Sequence, residues 1–252
     1  MNRRSLVALA GLALACGGGV AEVEPPVPVE EAPSSVPGDA LLQDERSRLA
    51  QIVGVPVEGG TNGDWTFAAA DGPHRLVVLL TEEHAGEEIV VVAERPDTED
   101  FTGHGQGMFV RVAGFAGGKM TFQAAVGEYG SYGGPPGTPR LVDYGSGKWA
   151  VVIGSGWSGQ GWTIETEVAV DPKSEHPEAE LFRIEKDANN AGTGEPEKEW
   201  HTEWSFSPTE AHGAYRLVGK TTRIFGGEST ETAWESEFDG TKYPIPEFVN
   251  SN

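Results

Sequence analysis

The 252-residue chain contains a single cysteine, Cys16, so it can form no intrachain disulfide and no cysteine-based zinc cluster. Basic residues are also scarce: 18 Lys and Arg stand against 39 Asp and Glu, giving a formal net charge of −21. Because nucleic-acid phosphates need lysine and arginine partners, this balance argues against a nucleic-acid partner. It argues equally against electrostatic docking on anionic lipid.

Long hydrophobic runs are absent as well, since no stretch approaches the ~20 apolar residues that span a bilayer. The longest run, SLVALAGLALA at residues 5–15, follows Arg3 and Arg4 and ends directly before Cys16. A basic start, a short apolar run and small residues at its end form the pattern of a secretory signal. We therefore expect residues 1–15 to be a signal peptide that is removed on export.

The end of this run, Ala13-Leu14-Ala15-Cys16, resembles the cleavage site of bacterial lipoproteins, although these usually carry leucine three residues before the cysteine rather than two. The resemblance implies that Cys16 is diacylated, becomes the mature N-terminus and holds the protein on a membrane. Gly17 stands where an aspartate would retain a Gram-negative lipoprotein on the inner membrane. For a Gram-negative bacterium the resemblance therefore favours the outer membrane, facing the periplasm or the cell surface. The alternative is an ordinary secretory signal followed by a chance cysteine.

Residues 17–40 have five prolines, five acidic residues and no basic or aromatic residue. Such a composition cannot bury enough apolar surface to offset the entropy of ordering. Together with the lipidated Cys16, residues 16–40 are predicted to form a disordered tether. As flexible coil it would span about 25–30 Å between membrane and domain.

The following segment, ALLQDERSRLAQIV at residues 40–53, has apolar residues near helical spacing. Leu42, Leu49 and Ile52 lie on one side, with charged residues between them. Asp39 is suited to the N-cap and Gly54 to the position after the last turn. We predict one short helix packed on the edge of a domain that covers residues 41–252.

From Val55 onward the apolar pattern has period two and is interrupted every 8–12 residues by glycine, proline or aspartate, as in residues 120–126, 162–170, 200–206 and 232–238. One apolar and one polar face per strand is typical of antiparallel sheets. Residues 76–80 and 89–93 are apolar on both faces and indicate central strands. The pattern predicts an all-β fold of 12–14 strands in a meander of hairpins: a β-sandwich or open barrel, or alternatively a small propeller.

Motifs for catalysis are missing or incomplete. No serine lies in G-x-S-x-G, and GSGWSG at 154–159 matches a dinucleotide motif but precedes a predicted strand instead of a helix, so it indicates a hairpin. The six histidines show no metal-binding spacing, although His201 and Glu203 share one solvent-facing side. Asp187 opens an EF-hand-like stretch that fails at Ala191. No catalytic residue, cofactor or metal ligand is predicted.

The distinctive feature that remains is aromatic residues beside glycines, in segments 127–139 and 154–161. Exposed aromatic rings can stack on sugars or clamp peptides, so Tyr129, Tyr132 and Trp157 are predicted to contact a ligand. Trp149 and Trp162 are expected in the core. The function predicted is non-enzymatic binding, or a structural interaction, with a protein or glycan of the cell envelope. The alternatives are a hydrolase-type enzyme with a carboxylate pair distant in sequence, and a calcium or small-solute binder.

Overall fold

The computed structural model describes residues 37–59, 64–98, 107–130 and 135–250. The predicted signal peptide, Cys16, most of the tether and Tyr132 lie outside these residues. The elements are a helix, α1 (Pro37–Val53), thirteen strands and a 3-10 turn (Glu247–Val249). The strands are β1 (Val57–Gly59), β2 (Asp64–Ala69), β3 (Gly72–His84), β4 (Glu87–Pro96), β5 (Met108–Ala116), β6 (Lys119–Tyr129), β7 (Arg140–Gly145), β8 (Lys148–Gly159), β9 (Trp162–Val170), β10 (Glu180–Asn189), β11 (Lys198–Ala211), β12 (Ala214–Phe225) and β13 (Glu228–Ser236).

The strands form two antiparallel sheets, each a meander in chain order. Strands β1 to β6 make a six-stranded sheet, and β7 to β13 make a seven-stranded sheet. The first and last strands of each sheet are not paired with one another, so neither sheet closes into a barrel. The predicted all-β meander of antiparallel hairpins is confirmed.

Five of the hairpins share the same two-residue turn. The first turn residue has φ of 52–58° and the second has φ of 71–86°, in Ala85-Gly86, Gly117-Gly118, Gln160-Gly161, His212-Gly213 and Gly226-Gly227. Turns with two positive φ angles match the right-handed twist of the flanking strands, which is why a glycine closes each one. These tight turns keep sequence neighbours paired and produce the meander.

Apolar residues fill three layers. Ile89 and Val91 of β4 face a core between the two sheets, to which β5, β6, β8 and β9 also contribute. Val90 and Val92 of the same strand face a second core that lies under α1. The prediction that residues 89–93 are buried on both faces is confirmed. A third core lies inside the curved seven-stranded sheet and includes Phe182.

Helix α1 packs on the six-stranded sheet and contacts both of its edge strands, β1 and β6. Leu49 and Ile52 are buried there, as their spacing predicted. The helix begins at Pro37, so Asp39 lies in the first turn and not before it. Gly54 follows the last turn with φ of +76°, and its N–H donates to Ala50 O over 2.9 Å, which confirms the predicted end.

The segment after β13 packs back onto the seven-stranded sheet. Strands β10 and β11 pair only over residues 187–189 and 199–201, so the earlier part of β10 lacks β11 as a partner. Residues near the C-terminus supply hydrogen-bond partners in place of β11. The Tyr243 N–H donates to Leu181 O (2.7 Å), and the Glu185 N–H donates to Asn250 Oδ1 (2.9 Å). Asp239 forms the turn that starts this return, accepting the Lys242 N–H at 2.8 Å.

Candidate ligand-binding surface

Trp157 is an exposed indole on a strand. It is 43% exposed and lies near the end of β8, paired with Ile164 of β9. A Cβ atom on Gly159 would lie 2.8 Å from the Trp157 ring, so the ring covers Gly159. Its predicted exposure is confirmed. Residues 154–159 belong to a hairpin, as predicted, but their glycines lie in a paired strand and not in the turn, because the ladder continues to Gly159 and the turn is Gln160-Gly161.

Trp162 lies on the same side of the hairpin as Trp157. It pairs with Gly159, and side chains two residues apart on a strand share a face. The Trp162 ring meets that of Trp200 on β11, with centroids 5.8 Å apart and planes inclined by 35°. Trp162 is therefore half-buried in a surface pair, which corrects its predicted place in the core, whereas Trp149 is buried as predicted.

Phe225 extends this group toward the other edge of the sheet. It is 62% exposed at the end of β12 and pairs with Lys198 of β11. The Lys198 Nζ lies 5.6 Å from the Phe225 ring centroid and 5.9 Å from that of Trp162. The Arg223 guanidinium carbon is 5.9 Å from the Trp200 ring. We call these six residues the aromatic surface: Trp157, Trp162, Lys198, Trp200, Arg223 and Phe225.

Two glycines bring the hairpin tip into contact with the loop between β10 and β11. The Gly192 N–H donates to Gly161 O over 3.0 Å. A Cβ on Gly192 would lie 2.8 Å from Gly161 Cα, a distance that Cβ atoms essentially never show. The backbone contact requires glycine on both sides and places Trp162 beside the start of β11.

Asn190 orders the same loop. This buried side chain donates from Nδ2 to Pro196 O (2.9 Å) and accepts the Lys198 N–H at Oδ1 (2.8 Å). Both ends of its amide are thus used to close the loop and to position Lys198. The EF-hand-like stretch that begins at Asp187 is the end of β10 followed by a structural loop beside the aromatic surface.

The described parts of segments 127–139 and 154–161 lie together and form one rim. The Ser155 hydroxyl donates to Gly130 O (3.0 Å), and Gly137 N–H donates to Gly154 O (3.1 Å). Tyr132 lies outside the described residues.

Tyr129, however, is only 5% exposed, and its hydroxyl donates to Val126 O (2.9 Å). Burial raises its pKa to about 12. Its predicted place on an exposed loop is wrong because the ladder shifts register at Val110/Arg111, opposite Gly127 with φ of +123°. This bulge resets the alternation and turns Tyr129 inward.

A polar cavity of about 360 Å³ lies beside this rim, lined by residues 137–138, 154–156, 165–167 and Lys186. Gly154 and Gly156 pair with Glu167 and Glu165, on the face of the hairpin opposite to Trp157. The Glu167 carboxylate accepts the Trp204 Nε1–H at 2.7 Å. It also faces Arg140 (3.1 Å) and Lys186 (3.5 Å). A carboxylate held by an indole and two cations is suited to holding strands together.

His201 is half-exposed, as predicted. Its Nδ1 lies 2.6 Å from Asp187 Oδ1, and its Nε2 lies 3.7 Å from Glu203 Oε1. The hydrogen bond to Asp187 is the main cause of its raised pKa. Within the described residues, no group of three or more His, Cys, Asp or Glu side chains is arranged to hold a metal ion. The helix of the described region is too short and too polar to cross a membrane.

Comparison with known proteins gives no match: no family model, curated protein or solved structure resembles the chain significantly.

Proposed function

We propose that this chain is an exported, lipid-anchored protein of the bacterial cell envelope whose β-domain binds a protein or glycan partner, without catalysis, at the aromatic surface. The anchor follows from residues 1–16, with Cys16 as the acylated residue and the outer membrane as the favoured site. The binding role is supported by the exposed aromatic residues of the β-domain.

The observation that supports binding is where the exposed apolar area lies. The most exposed large apolar side chains of the described residues are Phe225 (62%), Trp157 (43%) and Val55 (36%). Two of the three belong to the aromatic surface, where a third and a fourth aromatic ring are half-exposed beside them. Exposed apolar patches with tryptophan at their centre are typical of interaction sites.

Rigidity also favours binding here. Trp157 is held in a paired strand, the Gly161–Gly192 contact holds the hairpin tip, and Asn190 closes the neighbouring loop. Rings that are already ordered lose little conformational entropy when a partner binds. In the cavity on the opposite face, Glu167 is paired with Lys186 and accepts the Trp204 Nε1–H, so that cavity offers a less favourable site.

The anchor is tested by replacing Cys16 with serine. The change removes the acyl acceptor and the cleavage signal together, so precursor should accumulate and no labelled palmitate should be incorporated. The unchanged chain is the control. Processing and membrane attachment that persist in Cys16→Ser would contradict lipidation at this residue.

The binding surface is tested with Trp157→Ala and Phe225→Ala in the chain without residues 1–16, which lacks both the predicted signal peptide and the acylated cysteine. Loss of an aromatic anchor typically costs ~2 kcal/mol or more, so binding to isolated envelope fractions should weaken by about tenfold or more. Val55→Ala is the matched control, since it removes an exposed apolar side chain next to α1. Equal weakening by Val55→Ala, or a large fall in the melting temperature of Trp157→Ala, would count against the surface.

A further inference from the structure

The size of the aromatic surface indicates a long ligand. It extends from Trp157 on β8 to Phe225 on β12, which is four inter-strand steps in the sheet. The Lys198 Nζ lies 5.9 Å from the Trp162 ring centroid and 5.6 Å from that of Phe225, so these two rings are less than about 12 Å apart, and one further inter-strand step of about 4.8 Å leads to Trp157. Small molecules bind in enclosed cavities, whereas this surface lies open on the face of a sheet. A polymer that crosses the strands fits it better.

The environment of the Trp157 ring indicates which chemical groups of that polymer contact it. One side of the indole covers Gly159, and Trp157 as a whole is 43% exposed. A supported, flat ring with a negative π face attracts the weakly positive C–H groups on the face of a sugar ring. Such stacking needs a rigid, planar partner, and a strand-borne indole beside glycine provides one.

The charges of the surface favour a ligand without charge. Its two cations already have partners: Lys198 Nζ lies 3.3 Å from Glu195, and Arg223 donates to Phe248 O. An anionic polymer would meet a chain of net charge −21. A cationic peptide would meet Lys198 and Arg223, which already occupy the positions near the rings of Trp162, Trp200 and Phe225.

We propose that the aromatic surface binds an uncharged polysaccharide strand, whose sugar rings stack on Trp157 and Phe225 and cross the Trp162–Trp200 pair. The proposal rests on the function proposed above and specifies its ligand class. Affinity arises from stacking and apolar contact, so it should change little with ionic strength.

The experiment is calorimetric titration of the chain without residues 1–16 with hexamers of N-acetylglucosamine and of glucose, together with tryptophan fluorescence. At least one hexamer should bind with the same affinity at low and high salt. Trp157→Ala and Phe225→Ala should each weaken binding by about tenfold, while Val55→Ala should leave it unchanged. Two alternative ligands are tested in the same way: heparin as an anionic polymer, and vesicles of phosphatidylcholine as a lipid surface.

Three outcomes would overturn the inference. Binding of neither hexamer, with envelope binding still sensitive to Trp157→Ala, would show that the ligand class is wrong while the proposed function stands. A blue shift of tryptophan fluorescence on the vesicles alone would assign the surface to lipid. Loss of affinity in Val55→Ala equal to that in Trp157→Ala would overturn both the ligand class and the proposed surface.

Discussion

At the scale of single residues, glycines decide which side chains of the β8–β9 hairpin are exposed. Gly159 leaves room for the Trp157 ring, and a side chain there would occupy the space that the indole covers. Gly161 and Gly192 let two backbones touch, so that Trp162 reaches Trp200 across β10. The cross-strand neighbour of Trp200 on β10 is Ala188, which is buried and too small to separate the indoles.

The Gly161–Gly192 contact can be tested with Gly192→Ala. Gly192 does not have positive φ, so alanine there is strained only by its Cβ, 2.8 Å from Gly161 Cα. Overpacking of this kind costs ~1–3 kcal/mol, and the free energy of unfolding should fall by that amount. Gly154→Ala is the control, because its Cβ would lie 3.6 Å from the nearest atom. Equal losses of unfolding free energy in Gly192→Ala and Gly154→Ala, measured by urea denaturation, would contradict the importance of this contact.

At the scale of elements, the C-terminal segment acts as a replacement strand. It covers the part of β10 that β11 does not reach and buries Tyr243 and Val249 in the core of the seven-stranded sheet. The Tyr243 hydroxyl donates to Tyr215 O over 2.7 Å, and burial raises its pKa well above the usual value. This short segment therefore links β10, β12 and β13.

Truncation after Gly240 should destabilise the domain strongly. It removes two buried side chains, each worth ~1.5–3 kcal/mol, together with the Tyr243 N–H that donates to Leu181 O. The free energy of unfolding should fall by more than about 3 kcal/mol, as measured by chemical denaturation. Truncation after Asn250 is the control and should change nothing measurable. Should the shorter chain fail to fold, Tyr243→Phe should still cost ~1 kcal/mol; no loss in that variant would contradict the role of the segment.

At the scale of the whole molecule, the two sheets are joined by a core and by charged contacts at its margin. Glu87 of the six-stranded sheet is paired with Lys173, which follows β9 of the other sheet, and accepts the Thr121 hydroxyl at 2.7 Å. The Lys173 Nζ also lies 4.8 Å from the Phe122 ring centroid and 5.8 Å from that of Trp149. A single cation thus contacts a carboxylate and two rings at the junction.

This junction should make stability depend on acid pH. The hydrogen bonds from Lys173 and Thr121 lower the pKa of Glu87 below its ordinary 4.5. The stabilisation is therefore fully present above pH 4.5 and is lost as pH falls through the lower value of the folded state. The gap in melting temperature between the unchanged chain and Glu87→Gln should narrow as pH falls below 4.5. Glu82→Gln, on the exposed part of β3, is the control; a gap independent of pH would contradict this assignment.

The sequence alone determined the class of fold, because that information is local. Alternation along each strand depends on nearest neighbours, and the glycine-containing turns fix antiparallel pairing between consecutive strands. The exposure of Trp157, the end of α1 at Gly54 and the burial of residues 89–93 on both faces were predictable for the same reason. The lipid anchor at Cys16 also depends on local sequence and stays a prediction.

Only the tertiary structure decided the composition of the candidate site. Tyr129 turns inward because a bulge at Gly127 shifts the alternation, and a shift of one residue moves a side chain to the other face. Trp162 and Trp200 are separated by 38 residues, and Phe225 is farther along still, so no local pattern brings them together. Trp162 and Trp200 meet because the pairing of β10 with β9 ends at Asn189, one residue before Trp162 is reached on β9. The Gly161–Gly192 contact then holds the tip of the β8–β9 hairpin against the loop that follows β10. Contacts of this kind depend on how strands splay and pack, which is a property of the folded sheet as a whole.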